Sequence, residues 1–133
     1  MINIIYGPKG TGKTKQIIDQ ANAAAEKAKG NVIFISDTKM YSVNINFDVK
    51  CVYTEEYAIN SAEALRAFVC GMAAANYDIE YIFIDGIARI TNSDLNELET
   101  VFAGIERLND IKFVMTISAA KEQLPDFIAK YAY

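Results

Sequence analysis

MINIIYGPKGTGKTKQ, residues 1–16, is the stretch whose reading decides the fold. Gly7 to Thr14 match the pattern G-x-x-x-x-G-K-[ST] in full. Ahead of the loop, Ile2, Ile4, Ile5 and Tyr6 form a short apolar run with strand preference. Behind it, Ile17, Ile18, Ala21, Ala24, Ala25 and Ala28 recur at helical spacing. Strand, glycine loop and helix together are the setting that this pattern needs. Gly7, Gly10 and Gly12 permit positive φ and the close approach of a ligand to the main chain. Successive N–H groups from about Gly10 to Thr14 can then curl around an anion, and the start of the helix adds unbonded N–H groups and its dipole. Lys13 brings a compact charge to the β- and γ-phosphates of an oligophosphate, and the Thr14 hydroxyl is placed to ligate Mg²⁺. Pro8 stiffens the turn, and Lys9 is read either as a γ-phosphate contact or as a solvated loop charge. The nucleotide-binding candidates are therefore Gly7, Pro8, Lys9, Gly10, Thr11, Gly12, Lys13 and Thr14.

Outward from this stretch, apolar runs alternate with helical patterns. A strand over 2–6 is followed by a helix over 13–29, stopped at Gly30-Asn31. Val32 to Ile35 is a continuous apolar run, which suits a strand covered on both faces. Residues 37–48 read as a loop. Alternating apolar residues then predict a half-exposed edge strand over 49–53, with Val43 to Phe47 as a partnering arm. A helix over 61–76 follows, with Asn60 and Glu63 at capping-box spacing and Gly71 as a sign of close packing. Tyr81 to Asp85 is a strand ending in an acid. Ser93 caps a helix over 94–108, and 111–117 is the last strand. Short helical turns are expected over 118–124 and 126–131, with Tyr131 and Tyr133 packed on the sheet edge or, alternatively, on a partner. The order β-α-β-(β)-α-β-α-β-α predicts a single α/β domain over residues 1–133: a three-layer sandwich with a mostly parallel sheet of about five strands and helices on both faces. Ligands bind at the carboxyl ends of the strands in such sheets, where the loop, Asp37, Asp85 and Ser118 would all lie.

These residues resemble the Walker A motif of the P-loop NTPase superfamily, and the α/β alternation extends the likeness over most of the chain. Within the superfamily the arrangement resembles the ATPase branch that includes RecA-like and PilT-like proteins. The opening YGPKGTGKT is also similar to that of thymidine kinases, which share the core. The resemblance implies ATP bound with Mg²⁺. GTP is the alternative nucleotide, disfavoured because no N-K-x-D guanine signature is present. Ile82-Phe83-Ile84-Asp85 looks like a Walker B motif, which would make Thr14 and Asp85 the metal site. Read without the resemblance, Asp85 caps a strand end, or Asp85-Gly86 is a type I′ hairpin turn. Many P-loop ATPases carry a water-activating glutamate directly after this aspartate, but here that place is Gly86. Asp37, at the end of another strand, is the nearest substitute, its other reading being an Asx turn or cap; Glu55 and Glu56 are further acids. Lys13, Asp85 and Asp37 are thus the catalytic candidates. Ser118 is read as a γ-phosphate contact or as an N-cap, and is preferred to Thr116, which lies inside the strand. For the charge-neutralising arginine that the resemblance implies, Arg89 is the candidate nearest the rim, acting in cis or on a neighbour, while Arg66 and Arg107 read as surface charges on helices.

Composition narrows the partners. Thirteen Lys and Arg face 17 Asp and Glu, a net charge of −4 with no basic run, so neither nucleic acid nor an anionic membrane is indicated. There is no histidine, which removes the commonest general base and metal ligand. Cys51 and Cys70 lack CxxC spacing and read as small buried hydrophobes. No signal peptide or membrane span is visible, so a cytoplasmic location is expected. The expected function is Mg²⁺-dependent ATP binding with slow hydrolysis of the β–γ bond. A small-molecule kinase of the nucleoside type and a non-hydrolysing nucleotide-gated binding module are the alternatives. Partners are a nucleoside triphosphate and either a second copy of the chain or another protein.

Overall fold

The computed structural model describes residues 1–132, the side chains of Met40 and Tyr41 excepted. Five strands, β1 (Ile2–Gly7), β2 (Asn31–Ser36), β3 (Val49–Tyr53), β4 (Ile79–Ile84) and β5 (Lys112–Ser118), form one sheet in the order β1-β5-β4-β2-β3. Every neighbouring pair is parallel, so all five carboxyl ends share one rim. Among the described residues the α-helices are α1 (Lys13–Lys27), α2 (Ala62–Ala75), α3 (Ile87–Thr91), α4 (Glu99–Ile105) and α5 (Asp126–Ala129).

The period-2 alternation of strand side chains builds two cores. Ile5, Val32, Phe34, Phe83 and Val114 point to one face, where Ile17, Ile18, Ala21 and Ala24 of α1 cover them. Ile4, Ile33, Ile35, Ile82, Ile84, Phe113 and Met115 point to the other, under residues of α2, α3, α4 and α5. A fully buried isoleucine such as Ile17 contributes on the order of 2 kcal/mol through apolar burial alone. The continuous apolar runs of β2, β4 and β5 follow from cover on both sides. The alternating residues 49–53 form the edge strand that their pattern predicts, and the sandwich has the expected three layers.

Several local expectations change. Lys39–Asn44 is a 3-10 helix rather than an arm paired with β3. Asn22 holds this segment instead, its side-chain amide donating to the Asn44 carbonyl at 3.0 Å and accepting from Asn46 N–H at 2.7 Å. Helix α2 is capped one residue later than expected, by Ser61 Oγ on Ala64 N–H. A Cβ on Gly71 would meet nothing within 4 Å, so this glycine marks no close packing. Gly30 does mark one: its Cβ would run into the Asp78 carbonyl. The helix expected over 94–108 begins as a 3-10 turn at Leu95–Leu98, capped by Asp94 rather than Ser93, and ends at Ile105. Cys51 and Cys70 are free and only half-buried. Tyr131 packs on Phe102 and donates to Glu106 at 2.9 Å, while Tyr133 lies outside the described residues. No helix among the described residues is long and apolar enough to cross a membrane.

Candidate functional site at the carboxyl rim of the sheet

Strand β1 ends at Gly7, and residues 8–12 turn the chain into α1. Gly12 makes the turn with φ 84° and ψ 18°, a left-handed conformation at the helix N-cap. The first bond closing α1 is Gln16 N–H to the Gly12 carbonyl at 3.1 Å. Among the described residues, no N–H from Lys9 to Lys15 donates to a backbone carbonyl. That row of unbonded donors is what a helix start offers to an anion. Lys13 lies inside the loop, 9% exposed, and its ammonium donates to the Pro8 carbonyl at 2.8 Å. Thr11 Oγ1 donates to the same carbonyl at 2.7 Å. Burial lowers the Lys13 pKa from its ordinary value, and the charge of Asp85 opposes the shift.

Asp85 stands directly after β4 and is 2% exposed. Three groups fix it. Its N–H donates to the Ile35 carbonyl of β2 at 2.9 Å. Thr116 Oγ1 of β5 donates to its Oδ1 at 2.8 Å and in turn accepts Gly86 N–H at 2.7 Å. Thr14 Oγ1, in the first turn of α1, approaches its Oδ2 at 3.1 Å. Residues 71 positions apart in sequence thus meet because β5 sits between β1 and β4. The Thr14–Asp85 pair also fits a magnesium ion. Both are hard oxygen donors, and their 3.1 Å separation is close to the ~3.0 Å between adjacent corners of an octahedron with ~2.1 Å bonds. Among the described residues no three His, Cys, Asp or Glu gather into a metal cage. A Mg²⁺ ion here would complete its shell with phosphate oxygens and water, its usual preference.

Gly86 caps α3 with φ 78° and ψ 53°, which excludes the hairpin reading of Asp85-Gly86. Across it lies Arg89, whose Nε and Nη2 reach Asp37 Oδ2 and Oδ1 at 2.8 and 3.3 Å. Nη2 is 3.9 Å from Asp85 Oδ2. Burial raises the Asp37 pKa, but hydrogen bonding and charge from Arg89, with backbone N–H groups of Asp37 and Thr38, hold it below the ordinary value.

One cleft of about 370 Å³ gathers Lys9, Gly10, Gly12, Lys13, Thr14, Asp85 and Ser118, with Arg89 and Thr116 added. Gly7, Pro8 and Thr11 belong to the same loop but do not line the cleft. Asp37 reaches it only through Arg89. Ser118 is exposed at its wall and caps no helix, since the following 3-10 turn has Ala120 at its N-cap. Glu56 is paired with Lys39 at 3.1 Å, and neither Glu55 nor Glu56 lines the cleft. Thr116 is the residue that sequence reasoning passed over. Its signal was a lone hydroxyl in an otherwise apolar run, buried to 2% exposure.

A profile of the ATPase family associated with various cellular activities (AAA) matches residues 3–129. A search of curated proteins finds no match. The match takes in β1 from Asn3 onward, the other four strands whole and the residues lining the cleft, and the parallel sheet agrees with the P-loop architecture of that family. This chain belongs to the AAA ATPase family, a group of ATP-binding P-loop domains.

Proposed function

We propose that the chain binds ATP with Mg²⁺ in the 370 Å³ cleft and hydrolyses the β–γ bond slowly. The observation that carries this reading is the contact of Thr14 Oγ1 with the buried Asp85 carboxylate, beside the ammonium of Lys13. It sets two hard oxygens, which would suit a divalent cation, next to a row of unbonded N–H groups. The loop amides and Lys13 would hold the β- and γ-phosphates, Lys13 exchanging the Pro8 carbonyl for phosphate oxygen. Mg²⁺ would supply neutralisation of charge building on those oxygens. Thr116 would keep Asp85 turned so that Oδ2 faces Thr14, and Ser118 would stand at the γ-phosphate end. Slow turnover follows from the water-activating position. Gly86 has no side chain to serve there, and Asp37, paired with Arg89 before nucleotide arrives, is shorter than a glutamate by one methylene. ATP is the nucleotide we favour, with GTP as the comparison.

Thermal melting tests the reading. Mg²⁺-ATP at ~100 times its Kd should add about 2.7 kcal/mol of stability, and Lys13→Ala should abolish the shift. Asp85→Asn should keep binding but lose its dependence on Mg²⁺. A wild-type protein whose melting moves with no nucleoside triphosphate would sink the proposal.

A second cleft of about 540 Å³ favours the kinase reading enough to test it. Thr14, Lys15, Ile18, Asp19 and Asn44 line it, so it shares Thr14 with the phosphate cleft and gives an acceptor room. Nucleotide turnover without an acceptor supports the ATPase, turnover only with a nucleoside supports the kinase, and binding without turnover supports the switch module.

A further inference from the structure

Gly86 occupies the place where a glutamate would activate water, and a side chain there would have to displace the end of Arg89. A Cβ on Gly86 would lie 2.5 Å from Arg89 Nη2, 2.6 Å from Cζ and 2.8 Å from Nη1. The guanidinium lies flat across the glycine, on the wall of the cleft that also holds Lys13, Thr14 and Ser118. Its fork grips Asp37 through two nitrogens. That grip is the geometry in which a guanidinium also recognises phosphate.

Three features make the pair exchangeable. Arg89 is 54% exposed, so its long side chain is not jammed into the core. Nη2 already stands 3.9 Å from Asp85 Oδ2, the oxygen that faces Thr14. A phosphate held by the loop amides would arrive between these groups with more negative charge than one carboxylate carries. We propose that Arg89 is a phosphate ligand stored on Asp37: a bound triphosphate draws the guanidinium to its terminal phosphate and thereby releases the Asp37 carboxylate toward the water in the cleft. The proposal rests on the nucleotide-binding reading above. It adds that the site distinguishes ATP from ADP through Arg89, and that Asp37 competes with the γ-phosphate for one cation.

The test compares Mg²⁺-ATP and Mg²⁺-ADP affinities by calorimetry for wild type, Arg89→Gln, Arg89→Lys and Asp37→Asn. Arg89→Gln should weaken ATP by about tenfold and leave ADP within about twofold, the loss expected for one charge-assisted contact. Arg89→Lys should recover part of the ATP affinity by charge without the fork. Asp37→Asn should tighten ATP several-fold, because it removes the competing carboxylate, while lowering turnover. An arginine that only braces α3 would change the melting temperature and shift both nucleotides equally. Equal shifts, or an Asp37→Asn variant that binds ATP more weakly, overturn the proposal. Wild-type protein that binds neither nucleotide overturns the underlying function instead, so the two failures are distinguishable.

Discussion

Two turns in this molecule lead from a strand into a helix over a left-handed glycine, and they are put to opposite uses. Gly12 joins β1 to α1 with φ 84°; Gly86 joins β4 to α3 with φ 78°. The backbone device is nearly the same. The surroundings are not. A Cβ on Gly12 would meet nothing within 4 Å, whereas one on Gly86 would strike the Arg89 guanidinium. The first turn keeps open space in front of unbonded N–H groups, as an anion requires. The second is filled by a cation from the protein's own next helical turn. The same fold element therefore serves once as a cradle and once as a holster, depending on what stands opposite the missing side chain.

Alanine at each glycine measures that difference. Gly12→Ala should cost about 1–2 kcal/mol, the price of the left-handed conformation alone. Gly86→Ala should cost the same plus up to about 1 kcal/mol for displacing Arg89 from Asp37, an ion pair open to solvent. Urea unfolding without nucleotide reads both values. In an Arg89→Ala background the extra loss at Gly86 should vanish, since the two residues act through one contact. Equal losses in the wild-type background would mean that the guanidinium contributes nothing where it lies.

A third glycine sharpens the contrast from the other side. Gly71 lies within α2, is exposed, and would place a Cβ in open space. No positive φ is recorded there. Neither ligand access nor close packing requires it, so only helix propensity is at stake. Gly71→Ala should raise stability by about 1 kcal/mol, or about 3–5 °C in melting temperature for a domain of this size. A destabilised variant would show that α2 has a contact on that face.

The two turns also differ in how far they could be read in advance. The first was legible because all its parts are local: three glycines, Lys13 and Thr14 within eight residues, between a strand and a helix. Asp85 was legible as an acid closing an apolar run. The Arg89–Asp37 link was not, because its partners are 52 positions apart and meet only because β2 lies beside β4. Thr116 was hidden for the same reason: its task depends on β5 lying between β1 and β4, an order that alternation of strands and helices leaves open. Helix α3 leaves no signal in the sequence, since Ile87 and Ile90 make a single apolar turn, too short to show a period. The 3-10 start of the next helix is not distinguishable in the sequence, because Leu95, Leu98, Phe102 and Ile105 keep a spacing that suits both 3-10 and α turns.

The smallest expected effect separates charge from packing in the second turn. The Asp37 pKa is lowered in the folded protein, so the carboxylate stabilises the fold above its unfolded value of about 3.9. That contribution is lost as pH falls through the lower, folded-state value. Arg89→Gln removes the guanidinium's charge and fork while leaving a side chain over Gly86. At about pH 7 the variant should be less stable by no more than ~1 kcal/mol, because the arginine is more than half exposed and the pair is screened. As pH falls through the folded-state value the two proteins should converge, since a protonated Asp37 no longer distinguishes a cation from an amide. Urea midpoints across that range give the comparison. A gap that persists undiminished into acid would assign the contribution to packing of the guanidinium on Gly86. The second turn would then be a steric plug with an incidental charge, and its likeness to the first would end at the backbone.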